Sequence, residues 1–120
     1  MILYYLFVWL LGMFSFLILT IFVHEAGHYL GVRKYYKGKP RIGIDRKGPY
    51  VLIPSWFSNK QTLEVLEMGV VLGTIIPIFY FVCLFDPVGF LIIYYLYIKG
   101  IGSDLKQIKF IREQEVVDKE

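Results

Sequence analysis

No lysine or arginine occurs before Arg33, and the stretch from Met1 to Val23 also lacks Asp, Glu and His. As a helix that run measures about 34 Å, enough to cross a hydrocarbon core of about 30 Å. A chain of 120 residues has too little protein to cover such a segment, so lipid must. The composition agrees: hydrophobic residues make up 57 % and charged residues 19 %, where soluble chains average about 45–50 % and about 25 %. A soluble globule and a disordered chain are both excluded. A cleaved secretory signal would carry a basic start, a shorter apolar core and a small-residue cleavage site. None is present, so a retained first helix is expected over about 1–32. The single cysteine, Cys83, lies in an apolar run and excludes an intrachain disulfide framework or a cysteine zinc ribbon. It reads as a packing residue.

Further apolar runs cover Val65 to Phe85 and Val88 to Ile98, divided by Asp86-Pro87, which reads as a tight turn at a membrane surface. The second of these runs is too short to span, so its helix must continue past Lys99, whose place inside a span has no evident purpose. The expected fold is a single domain over 1–120: a membrane all-α core of three transmembrane helices, with a small cytoplasmic β-hairpin between helices 1 and 2. The hairpin loop occupies 33–58, helix 2 about 59–85 and helix 3 about 88–112. All Lys and Arg residues fall in two blocks, Arg33 to Lys60 and Lys99 to Lys119. That puts the loop and the C-terminus in the cytoplasm and the N-terminus and Asp86 outside, in a multi-pass protein of the cell membrane.

Within the loop, Pro40-Arg-Ile-Gly-Ile-Asp45 and Pro49-Tyr-Val-Leu-Ile-Pro54 flank Arg46-Lys47-Gly48, the pattern of a hairpin whose prolines limit further pairing. Ile42, Ile44, Val51 and Ile53 would form one apolar face. Ser58 with Gln61 matches a capping box and starts helix 2 near Asn59, with Trp56 and Phe57 at the interface. Ile108, Ile111 and Val116 recur at helical spacing in a last segment expected to leave the membrane and fray. The seven basic residues between Arg33 and Lys47 are explained by topology and an anionic leaflet. They lack the interleaved aromatics of a nucleic-acid surface, so no nucleic-acid partner is expected.

The one specific chemical signal is His24-Glu25-Ala-Gly-His28, at the cytoplasmic end of the first span. Residues four apart share a helix face, so His24 and His28 can offer two imidazole nitrogens to one metal ion, and Glu25, one step round, is placed to serve as general base. At average residue frequencies the pattern arises by chance in a chain this long on the order of a few times per thousand. Both histidines of the protein lie in it, and it puts three ionisable groups into an otherwise uncharged span, where each is costly unless paired or functional. A catalytic zinc usually has three protein ligands. Asp104, in Gly100-Ile-Gly-Ser-Asp104-Leu, is a candidate on the same membrane side, among small residues that let a helix approach. Glu64 and Glu67 at the start of helix 2 are alternatives, and Asp86 belongs to the opposite face.

An HExxH in a first membrane helix, a short polar hairpin, and a later helix with an Asp after small residues together resemble the core of the site-2 protease family of intramembrane zinc metalloproteases. The resemblance covers nearly the whole chain. In that family the third ligand lies in an Asn-Pro-containing stretch ending in Leu-Asp-Gly; here Gly-Ser-Asp104-Leu-Lys has no Asn, Pro or following Gly and is closer to abbreviated relatives with a looser Gly-Asp motif. The resemblance implies a zinc metalloprotease with Zn2+ on His24, His28 and Asp104 and with Glu25 catalytic. Its substrate would be a membrane-bound or membrane-associated peptide that must unwind, for which the hairpin at 40–54 offers an edge. The competing class is a non-enzymatic membrane protein that uses HExxH for metal or peptide binding. A structural site needs the histidines but not Glu25, which favours the enzyme. Gly27 and Gly31, with Gly69 and Gly73, give two helices smooth stripes for close packing. Tyr4, Tyr5, Tyr94, Tyr95, Tyr97 and Trp9 read as interface or core aromatics.

Overall fold

Thirty-four residues from Ile2 to Tyr35 form one unbroken helix, α1. The computed structural model describes residues 1–46 and 48–119, with side chains to Gln114. Strands β1 (Ile42–Asp45) and β2 (Gly48–Val51) follow, then helices α2 (Asn59–Leu84), α3 (Pro87–Gly100) and α4 (Gly102–Lys119). α1 and α2 are each long and apolar enough to cross a membrane. α3 and α4 pass the same test only as a pair, bent by 59° at a break around Ile101. The single third helix expected over about 88–112 is therefore two, because Gly100 and Gly102 flank the break and neither holds a helix well. Lys99 lies exposed in the last turn of α3, where a cation faces the helix's negative end.

α1 and α2 meet along their glycines. A Cβ on Gly27 would come within 2.6 Å of the Met68 carbonyl oxygen, and one on Gly31 within 2.9 Å of the Val65 Cα. Only hydrogen fits at these crossings, so the small-residue stripes do bring the two backbones together. At the start of α2 the capping box is present: the Ser58 hydroxyl accepts the Gln61 N–H at 3.2 Å, and the Gln61 side chain accepts the Ser58 N–H at 3.0 Å. Phe57 is buried with Val32 and Val65, whereas Trp56 stays 60 % exposed.

The hairpin pairs antiparallel with Ile42 opposite Val51 and Asp45 opposite Gly48, and Gly48 takes a φ of 119° that favours glycine in the turn. Lys47, expected in that turn, lies outside the described residues. The apolar face is only half realised: Val51 and Ile53 pack on the Val32 cluster, while Ile42 and Ile44 are exposed, because β1 is the strand away from α1.

At the other end of the molecule Asp86 caps α3 and fastens three helices. Its Oδ2 accepts the Tyr80 hydroxyl at 2.6 Å and the Trp9 indole N–H, and its Oδ1 accepts the Gly89 amide at 3.1 Å. The Tyr80 hydroxyl, with the indole and amide, holds the Asp86 carboxyl below the usual carboxylate range. Met13, Tyr80 and Ile93 form the core beneath. Cys83, expected to pack, is instead exposed on the outer face of α2. α4 is helical to Lys119 rather than frayed, with Ile111 buried and Arg112 paired to Glu67 on α2. The side chain of Val116 lies outside the described residues.

Candidate metal centre

His24 and His28 stand one turn apart on the buried face of α1, 3 % and 5 % exposed. The positions that let them be there are the glycines of α2. A Cβ on Gly69 would strike the His28 ring, and one on Gly73 would strike the Tyr97 hydroxyl and lie 3.0 Å from the His24 Cβ. α4 brings the third group. The Asp104 Oδ2 lies 2.9 Å from His24 Nε2 and 3.0 Å from His28 Nε2, and the two Nε2 atoms are 2.9 Å apart. Glu25 is beside them, its Oε1 4.0 Å from His24 Nε2. His24, Glu25 and His28 can each offer a ligand atom within 4.8 Å of the others.

The outer nitrogens decide what this cluster can hold. His28 Nδ1 faces the Val65 carbonyl at 2.9 Å, which only accepts, so Nδ1 carries the proton. His24 Nδ1 faces the Tyr97 hydroxyl at 3.0 Å. That hydroxyl donates to the Val70 carbonyl at 3.0 Å, so its oxygen accepts the His24 Nδ1 proton. In their neutral forms both rings then present bare Nε2 lone pairs to each other and to a carboxylate oxygen. With both rings neutral, three electron-pair donors lie within 3.0 Å of one another, an arrangement that either a metal cation or a proton on one Nε2 would join. Their separations approach the roughly 3.3 Å between ligand atoms around a tetrahedral zinc bound at about 2.0–2.1 Å. Two nitrogens and one oxygen also suit zinc in kind. The donor set fits.

Of the alternatives left open by the sequence, Glu64 is taken by Lys34, at 3.2 Å, and by the Tyr35 hydroxyl, and Glu67 by Arg112. Neither contacts the histidines. Asp86 is at the far end of the helices, as expected. Tyr97 is the residue that sequence reasoning undervalued. It is a core aromatic, 2 % exposed, but its hydroxyl sets the His24 tautomer.

A cleft of about 360 Å³ reaches the cluster, with Glu25 and Asp104 beside apolar walls from Leu17, Ile21 and Leu96 and with Tyr50 of the hairpin over it. The Val51 backbone amide is directed at the Glu25 carboxylate. Comparison with family models, with curated proteins and with solved structures finds no match to this chain.

Proposed function

We propose that the protein is an intramembrane zinc endopeptidase, built on the plan of the site-2 protease family, that cleaves membrane-bound or membrane-associated peptides. The observation that carries this reading is the convergence of His24 Nε2, His28 Nε2 and Asp104 Oδ2 with a second carboxylate, Glu25, at the same cleft. His24, His28 and Asp104 would hold the ion. A zinc bound there supplies Lewis acidity, which acidifies water and polarises a peptide carbonyl. Glu25 accepts the proton of the attacking water and hands it to the leaving amine nitrogen, so one carboxylate serves both halves of the hydrolysis. Tyr97 and the Val65 carbonyl hold the imidazoles in the tautomer that points the lone pairs inward. The apolar walls shed bulk water, and the exposed edge of the hairpin gives an unwound substrate a strand to pair with. In this reading α3 and α4 make a third, broken span, with the basic hairpin loop and C-terminus cytoplasmic and the N-terminus outside.

The test is purified full-length protein in detergent, assayed for zinc and for cleavage of a transmembrane peptide. About one zinc per chain is expected, with Glu25→Gln keeping the zinc and losing at least about a hundredfold in rate. Cleavage undiminished in Glu25→Gln would defeat the mechanism. Stoichiometric zinc without any cleavage, in wild type as in the variant, would favour a metal-binding membrane protein that is not an enzyme. Zinc retained by the His24→Ala, His28→Ala double variant would remove the site itself.

A further inference from the structure

A second cavity, of about 430 Å³, lies at the base of the hairpin and shares no lining residue with the cleft. Its lining is mixed: Val32 of α1, Leu52 and Ile53 are apolar, while Tyr36, Trp56 and Arg41 are amphipathic or charged. Val32 directly precedes Arg33, the first Lys or Arg of the chain, so the cavity stands at the end of α1 where the basic loop begins. Trp56 is 60 % exposed and its ring centroid lies 6.1 Å from that of Tyr36, which pairs two amphipathic rings at the depth such rings prefer. No hydrogen bond or ion pair engages the Arg41 side chain among the described residues. From Arg33 to Lys47 there are seven cations and one acid, Asp45.

We propose that this cavity binds one anionic phospholipid from the leaflet that meets the basic loop, with the phosphodiester on Arg41 and the upper acyl chain along Val32, Leu52 and Ile53. Apolar side chains, two amphipathic aromatic rings and a guanidinium gathered on one cavity at the end of α1 match the acyl, interfacial and phosphate parts of a phospholipid. A peptide bound for hydrolysis would have to reach Glu25, about 10 Å deeper along α1. A zwitterionic head group carries the same phosphodiester but sets a choline cation beside the six other cations between Arg33 and Lys47, so a lipid with net negative charge is preferred.

The experiment is native mass spectrometry of the full chain in detergent, titrated with dioleoyl phosphatidylglycerol or dioleoyl phosphatidylcholine. One phosphatidylglycerol should be retained in preference to phosphatidylcholine. Arg41→Gln should weaken that retention roughly fivefold, whereas Lys39→Gln, the same loss of charge outside the cavity, should change it less than twofold. Trp56→Ala should also weaken it. Equal losses in Arg41→Gln and Lys39→Gln would mean a diffuse basic surface and overturn the site, as would equal retention of the two lipids. Displacement of the lipid by millimolar inorganic phosphate would reduce the site to a free-anion pocket. An added transmembrane peptide that binds through Arg41 while lipid retention is unchanged would give the cavity to a different occupant and defeat the proposal.

Discussion

Two histidines a turn apart become a site only when something fixes which nitrogen of each ring bears its proton, and here that work is done by a backbone carbonyl and a phenol. The Val65 carbonyl cannot be mutated away, but the Tyr97 hydroxyl can. Tyr97→Phe removes one oxygen from a buried contact with His24 Nδ1 and leaves the ring, so packing persists while the tautomer is released. Zinc affinity measured against a competing chelator should fall about 10–100-fold with helical content unchanged; unaltered affinity would show that the phenol is packing only. Asp104→Ala should weaken zinc binding as well and leave the helices intact. The histidine pair and Glu25 were legible from spacing alone, since four residues of helix fix a shared face whatever the rest of the chain does. Asp104 was legible as a candidate through its place after small residues, but that it, and not Glu64 or Glu67, stands beside the histidines depends on Lys34, Tyr35 and Arg112 engaging the other two carboxylates. Tyr97 could not be read, because a tyrosine in an apolar run looks like core and its partner stands 73 positions away.

Elements in this molecule are held by contacts of unlike kinds at their two ends. Along the α1–α2 crossing the constraint is steric. Gly69→Ala drives a methyl group into the His28 ring, a form of overpacking that costs about 1–3 kcal/mol. It should lower both the thermal midpoint and zinc affinity, where Gly12→Ala, which meets nothing within 4 Å, should change neither. At the α2–α3 turn the constraint is electrostatic. The depressed Asp86 carboxyl stabilises the fold above its unfolded pKa, about 3.9, and that stabilisation is lost as pH falls through the lower folded value. Thermal unfolding from pH 7 to pH 3 should therefore show a wild-type advantage over Asp86→Asn at neutral pH that shrinks below about pH 4. An advantage constant across that range would remove the carboxylate from the account. The start of α2 was readable because its cap is local, Ser58 with Gln61; Asp86-Pro87 reads as a turn in the sequence, and its capping of α3 depends on the Gly89 amide it meets in the fold. The break at Ile101 was harder. Gly-Ile-Gly permits both a close helix contact and an interruption, and the choice depends on α4 finding Glu67 and Asn59 on another helix.

For the whole molecule, the two basic blocks predict that a reporter after Glu120 lies in the cytoplasm and one before Met1 outside; the reverse result would set the hairpin on the wrong side for an anionic leaflet. The clamp at Trp9 and Asp86 and the ion pair of Lys34 with Glu64 tie α1 to its neighbours near both ends. α1 is nevertheless far longer than the layer it crosses, 34 residues or about 51 Å against about 30 Å. Its charge-free part, Met1 to Val23, is about 34 Å and suits that layer, so a thinner or thicker bilayer would create hydrophobic mismatch, relieved by tilt or by a local change in bilayer thickness. Since α1 cannot lean by itself, the bundle must lean with it, and the metal cluster changes depth as it does. Acyl-chain length would then control the proposed chemistry: if the protein is the endopeptidase proposed, the rate at which it cuts a fixed peptide in vesicles of shorter or longer phosphatidylcholines should pass through an optimum instead of remaining flat.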